Sequence, residues 1–296
     1  MAASLAFGGE GVKAVIFGSL RADAVTHAQA LDVVAQLVHS GDGGAVFTPN
    51  VDHVVLAHDN PRMRAAYSRA NLALADGMPL LWAARLIGER LPEKVSGSDF
   101  VPSVLELAAQ RGWRVYFLGG QPGVAALARD KLRESLPSLK VVGIDAPKID
   151  VNDLLEGSAS IISRVRVARP DVVLVALGAP KQEIWIDLMR DDLRPAVLIA
   201  VGASLDFIAG TVPRAPRWVS KVGLEWLFRL SREPRRLWRR YLLHDPKFLG
   251  IFGRVAIGRA RLAVKRRFRR AKDAPAPPPA ESSKEQERES VRSEPF

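Results

Sequence analysis

Six apolar runs recur along the first two-thirds of the chain: AVIFGSL (14–20), GAVFTPN (44–50), WRVYFLGG (113–120), KVVGID (140–145), DVVLVALG (171–178) and AVLIAVGAS (196–204). Segments 24–38, 61–70, 98–110, 122–136 and 183–190 lie between them and repeat apolar residues every three or four positions, the period of an amphipathic helix. Strands that alternate with helices leave few arrangements. Parallel strands need long crossovers, and the helices in those crossovers cover both faces of the sheet. The expected fold is therefore α/β: a Rossmann-like, mostly parallel sheet with helices on both faces. In such sheets ligands collect beyond the carboxyl ends of the strands. The turns after the apolar runs are thus where chemistry is to be sought.

Composition narrows the setting. With 296 residues, 48% of them hydrophobic, the chain can build one large core or two small ones. It has no cysteine, which excludes disulfides and thiolate metal sites and is compatible with the cytosol. The opening MAASLAFGGEGVKAVIF has no basic region ahead of a continuous apolar run, so export by a signal peptide is not expected. The most apolar window, 195–212, carries Asp206 and several Gly and Pro residues and reads as a buried strand with its loop, not a bilayer span.

Charge is unevenly placed. Residues 213–270 hold 18 Lys+Arg against 3 Asp+Glu, whereas 1–212 hold 21 against 23. A near-neutral body, 1–212, thus carries a basic helical appendage, 213–270, in which Trp, Leu, Phe and Tyr interleave with arginine and which Pro234 divides into at least two helices. Charge of this kind seeks phosphate, on nucleic acid or on a membrane surface. The tail 271–296, rich in Pro, Glu and Ser, is expected to be disordered.

Several strand-end turns carry polar groups. TPNVDHVVLAHDN (48–60) places Thr48, Asn50, Asp52 and His53 between a strand and a helix. In VYFLGGQPGVA, Gly119 and Gly120 allow backbone to approach a ligand at a helix start. Asp145, after the next strand, suits ribose hydroxyls, although a tight turn explains the glycines equally well. Asp76 in LALADGMPLLW reads by itself as a helix cap. Lys181, Gln182 and Glu183 follow the DVVLVALG run. EKVSGSDF offers Ser96, Ser98 and Asp99 as caps and Lys94 as a phosphate partner. No HExxH, cysteine pair or DxD is present, and the five histidines lack ligand-like spacing, so no metal is expected; His53 and His58 read as surface or internally bonded histidines.

Taken together and in order, TPNVDHVVLA, ADGMPLLWAARLIGERLPEKVSGSDF, GWRVYFLGGQPGVA, DVVLVALGAPKQEIWI, GASLDFIAGTVPRAPRW and GLEWLFRLSREPRRLWRRYL resemble the bacterial WecG/TagA/CpsF glycosyltransferases over about residues 44–250. The resemblance implies inverting, metal-independent sugar transfer from a UDP-sugar donor to an undecaprenyl-diphosphate-linked acceptor, with no cofactor. In the best-known members the sugar is N-acetylmannosamine. The resemblance makes Asp76 the base and puts Thr48, Asn50 and Gln182 in the sugar-nucleotide pocket. It also makes the appendage a membrane contact that helps close the site, which implies a cytoplasmic protein peripheral on the inner face of the plasma membrane.

The residues suit that chemistry. A carboxylate can take the acceptor proton, and without a metal the departing diphosphate needs cations. These are expected from Lys94 and from appendage arginines, Arg214 and Arg217 among them. Asp52, Gly119 and Gly120 complete the expected substrate contacts. Two departures stand out: Lys94 replaces a common arginine, giving a point charge in place of a bidentate fork, and IDAPKID replaces a turn with paired prolines and an aromatic. Rival readings are an NAD-dependent oxidoreductase, built on GGQPG and Asp145, and a nucleic-acid-binding protein, built on the basic stretch. Aromatic residues opposite arginine favour an anionic membrane over nucleic acid. The sequence leaves open whether the protein is a homo-oligomer.

Overall fold

The structure is a computed structural model that describes residues 6–7, 10–149, 154, 156–221 and 223–272. The short strands β1 (Ala6–Phe7) and β2 (Glu10–Gly11) pair antiparallel. β3 (Ala14–Phe17) and β4 (Leu20–Asp23) then form a hairpin. The run 14–20, expected as one strand of the main sheet, instead reverses at Gly18, whose φ of 64° is the left-handed geometry that a two-residue hairpin loop demands.

Helices begin and end where local chemistry allows. α1 (His27–Ser40) starts on Thr26, which exchanges reciprocal side-chain bonds with Gln29, and stops at left-handed Gly41, a pairing of start and stop signals. Buried β5 (Gly44–Phe47) leads to α2 (Val51–Asp59), and α3 (Pro61–Arg69) is capped by Asn60, which accepts from the amides of Arg62 and Met63. The chain continues through β6 (Leu72–Ala73), α4 (Met78–Leu86), α5 (Gly97–Arg111), β7 (Arg114–Gly119), α6 (Val124–Ser135), β8 (Lys140–Asp145) and α7 (Ala159–Ala168). β9 (Val172–Ala176), α8 (Lys181–Met189), β10 (Val197–Ala200) and α9 (Ser204–Ala209) complete the alternation.

The main sheet has six parallel strands in the order β6-β5-β10-β9-β7-β8. Its two faces bury alternate residues, as the period of two requires. Phe47, Leu118, Val173, Val175 and Leu198 pack on one face with α2, α3, α4, α7 and α8. Val46, Phe117, Val172, Leu174 and Ile199 pack on the other with α1, α5, α6 and α9. Each such side chain contributes about 1.5–3 kcal/mol by leaving water.

Beyond the sheet come α10 (Arg217–Lys221), α11 (Glu225–Arg232), α12 (Pro234–Arg239), a π-helical turn at Arg240–His244, and α13 (Lys247–Lys272). Pro234 opens α12 at the position where a missing N–H costs nothing. The chain divides into two compact units at Ala256/Ile257. Phe248 and Ile251, within the first, join the core on the Phe47 face. Trp218, Trp226, Leu227, Trp238, Leu242, Leu243 and Leu249 are exposed. Among the described residues no helix is long and apolar enough to cross a membrane. Of the tail 271–296, expected to be disordered, residues 271 and 272 end α13, and 273–296 lie outside the described residues.

Candidate active site

Every strand of the six-stranded sheet sends its carboxyl end to one cleft of about 700 Å³. Thr48 follows β5, Asp76 follows β6, Gly120 follows β7, Ala146 follows β8, Leu177 follows β9 and Val201 follows β10. The remaining wall comes from the C-terminal helices through Glu225, Arg229, Leu237 and Arg240. The volume suits a sugar nucleotide.

Thr48 is buried, its Oγ1 3.5 Å from the Ala200 carbonyl. Asn50 caps α2, with its Oδ1 accepting the His53 amide at 3.3 Å. Asp52, in the first turn, stands 3.2 Å from Arg240 Nε, and Arg240 also donates to Asn50 Oδ1 at 3.5 Å. His53 is buried, not on the surface, and makes ring contacts with Asn50 Oδ1 (2.8 Å) and Glu183 Oε1 (3.3 Å). That carboxylate oxygen also accepts from Gln182 Nε2 at 2.8 Å, while Gln182 Oε1 accepts the Gly202 amide at 3.2 Å.

Asp76 is not a helix cap. Gly77, with φ 113°, precedes α4, and no side chain caps that helix. The Asp76 amide donates to the Pro49 carbonyl at 2.8 Å, which fixes the loop and leaves the carboxylate to line the cleft. Part of its surface stays open to the cleft, but protein encloses the group on its other sides. Desolvation, and next the nearby Glu225, push its pKa up to about 6, against the pull of Lys94, Arg229 and His53.

The cleft thus gathers Thr48, Asn50, Asp52, Asp76, Gly120 and Gln182. Lys94 lies outside its lining, beside Glu225 at 3.7 Å, and acts on Asp76 through space. Gly119 also stands outside the lining: a Cβ there would lie 2.6 Å from the Ala176 backbone, so the residue serves strand packing. Arg214 pairs with Asp99 at the start of α5, away from the cleft lining. The side chain of Arg217 lies outside the described residues. Asp145 is already engaged, accepting from Tyr116 Oη at 2.5 Å and from Arg164 at 3.0 Å, so the proposed ribose partner of an NAD site is taken.

Sequence reasoning did not single out Glu225, Arg229, Arg240 or Phe207. Arg229 lies over the Phe207 ring at 5.3 Å, and Lys148 and Lys181 line the cleft from the ends of β8 and β9. GASLDF, a polar segment following an apolar run, held a signal for Phe207. The appendage residues held none, because their meeting with β5 and β6 spans about 150 residues or more of chain.

A sequence model of the glycosyl transferase WecG/TagA/CpsF family matches residues 15–262. A relative from Bacillus spizizenii, named N-acetylglucosaminyldiphosphoundecaprenol N-acetyl-beta-D-mannosaminyltransferase, is 32% identical over 207 residues, which cover 70% of this chain and 77% of the relative. The parallel sheet with its strand-end cleft and these two matches agree: the chain belongs to the WecG/TagA/CpsF family of glycosyl transferases.

Proposed function

We propose that this glycosyltransferase inverts the anomeric carbon of a UDP-sugar, N-acetylmannosamine-like or a related hexose or N-acetylhexosamine, as it passes the sugar to an undecaprenyl-diphosphate-linked acceptor in cell-surface polysaccharide synthesis. The observation that carries this reading is Asp76, a carboxylate held at the end of β6 with its pKa raised to about 6. A general base works best with a pKa near the operating pH. Asp76 takes the proton of the acceptor hydroxyl as that oxygen attacks the anomeric carbon. The bond from that carbon to the β-phosphate oxygen breaks on the opposite face, and UDP departs with the electron pair.

Charge developing on UDP is met by the cleft cations Lys148, Lys181, Arg229 and Arg240, groups of the kind that stabilise a leaving diphosphate without a metal. Among the described residues no three His, Cys, Asp or Glu groups stand close enough to hold a metal ion. The lipid-linked acceptor rests on the name that the Bacillus relative carries. The basic, aromatic-bearing stretch 213–270 supports docking on the anionic inner face of the plasma membrane. Thermal unfolding with UDP and a panel of UDP-sugars tests the donor, since a ligand that binds only the native state must raise the melting temperature. NAD raising it in place of UDP, or loss of transfer in EDTA, would overturn the reading.

A further inference from the structure

Glu183 is fully buried, and its Oε2 has no hydrogen-bond partner. A carboxylate in that position is costly unless something nearby offsets it. Its other oxygen, Oε1, receives two groups: Gln182 Nε2 at 2.8 Å and His53 Nε2 at 3.3 Å. The opposite ring nitrogen, His53 Nδ1, stands 2.8 Å from Asn50 Oδ1. That Asn50 atom is the oxygen, because it also accepts the His53 amide and Arg240. Nδ1 also lies 3.3 Å from the Asn50 backbone amide, a donor, so the ring sits against both the main chain and the side chain of Asn50. At the far side a proton must lie between Nε2 and the Glu183 carboxylate, since two bare acceptors would repel.

The result is one unbroken line of hydrogen bonds. It runs from Asn50 after β5, through His53 and Glu183, to Gln182 in the first turn of α8 and the Gly202 amide after β10. Asn50 and Gln182 are the cleft carboxamides that the proposed donor pocket uses. A carboxamide can present either its oxygen or its nitrogen to a ligand, and a half-turn about its last bond exchanges them. Here the bonds to His53 and Glu183 forbid that half-turn at both ends. Arg240, from the C-terminal wall, bonds the same Asn50 oxygen, so seating of that wall and orientation of the pocket share one atom.

We infer that His53, on the cleft lining, and Glu183, buried behind it, are positioning residues that hold the Asn50 and Gln182 carboxamides in a single orientation for the sugar nucleotide. This rests on the donor-pocket reading of Asn50 and Gln182. His53 has a second effect. Asp76 is faced by Lys94, Glu225, Arg229 and His53, and His53 is among the groups that favour its ionised form.

The test uses the full chain with UDP as ligand, followed by calorimetry, together with the pH dependence of transfer. Glu183→Gln keeps the shape but replaces the carboxylate that receives both Gln182 and His53. His53→Gln also breaks the line. Each variant is expected to weaken UDP binding about tenfold, equivalent to about 1.4 kcal/mol. Either change combined with Gln182→Ala should cost less than the product of the separate losses, because the partners act through one another. His53→Gln should also move the acidic limb of the transfer rate to higher pH, which loss of packing alone would not do.

Native UDP affinity in Gln182→Ala would overturn the pocket reading and this inference with it. Weakened binding in Gln182→Ala beside native affinity and an unmoved pH limb in the Glu183 and His53 variants would overturn the inference alone. Should those variants fail to fold, histidine-selective NMR of the unaltered chain decides. UDP must shift the His53 ring resonances, assigned through His→Gln changes at the other four histidines, and unmoved resonances overturn the proposal.

Discussion

The base role proposed for Asp76 conflicts with its surroundings. To act as a base it must be ionised, yet its surroundings favour the protonated form. Its folded pKa of about 6 lies above the ordinary carboxylate value of 3.8. The stability contributed by the protonated form is therefore fully present below about pH 3.8 and is lost as pH rises through 6. Above pH 7 the ionised group costs the fold about 1–3 kcal/mol. Asp76→Asn is accordingly expected to raise the melting temperature at pH 7.5 while lowering turnover by roughly 10²–10⁴ and leaving UDP affinity near native. A lower melting temperature with intact turnover would return Asp76 to a structural role. In the unaltered enzyme, activity should fall about tenfold per pH unit below pH 6, as the proton needed off Asp76 stays on. A rate profile flat to pH 5 would show that another group is the base.

At the scale of elements, the cleft depends on how closely the strand ends approach. β7 and β9 meet at Gly119, where a methyl group would collide with the Ala176 backbone and where φ is 101°. Gly119→Ala should cost about 2–4 kcal/mol, from left-handed strain plus overpacking, read as a clear fall in melting temperature. A native melting temperature would mean that the two strands tolerate separation. The helices of the far wall act differently: ending the chain at Val212 removes Glu225, Arg229, Leu237 and Arg240 from the cleft. Transfer should then be lost even to a short-chain acceptor, and retained turnover would show that the wall is dispensable.

How much of this could be read in the sequence follows from the same distinction. The alternation of strand and helix was legible because each element announces itself within ten or fifteen residues, by period or by a cap such as Thr26 or Asn60. Thr48, Asn50 and Gln182 stood out as polar groups directly after apolar strands. The bonds from His53 to Glu183, and from Asp52 to Arg240, join residues 130 and 188 apart, and no local pattern encodes such a meeting. Lys94 and Gly119, expected as substrate contacts, stand outside the cleft lining for a related reason. Their side-chain space is set by Glu225 and Ala176, which belong to other elements. Gly18 turned a strand into a hairpin through a single backbone angle.

Over the whole molecule, charge and apolar exposure fall on the same stretch. Residues 213–270 hold 18 basic against 3 acidic residues, and Trp218, Trp226, Leu227 and Trp238 are exposed there. The intact protein is expected to bind anionic vesicles, with each surface arginine contributing about 1 kcal/mol through the leaflet potential. Binding should weaken as salt rises, because exposed charges are screened over about 8 Å at physiological ionic strength. Vesicle flotation indifferent to lipid charge or salt would refute membrane docking by this stretch.

The strand order has one more consequence, for the moment at which the protein is made. β10 lies between β5 and β9, and nothing earlier in the chain occupies that place. Until residues 197–200 leave the ribosome, β5 and β9 each present an unpaired, wholly apolar edge, GAVF and VVLVA. Such edges are templates for joining another chain. The interval between synthesis of β9 and of β10, about twenty residues and thus roughly 1–4 s of translation, is therefore when a nascent copy is most exposed to aggregation and has most to gain from a chaperone.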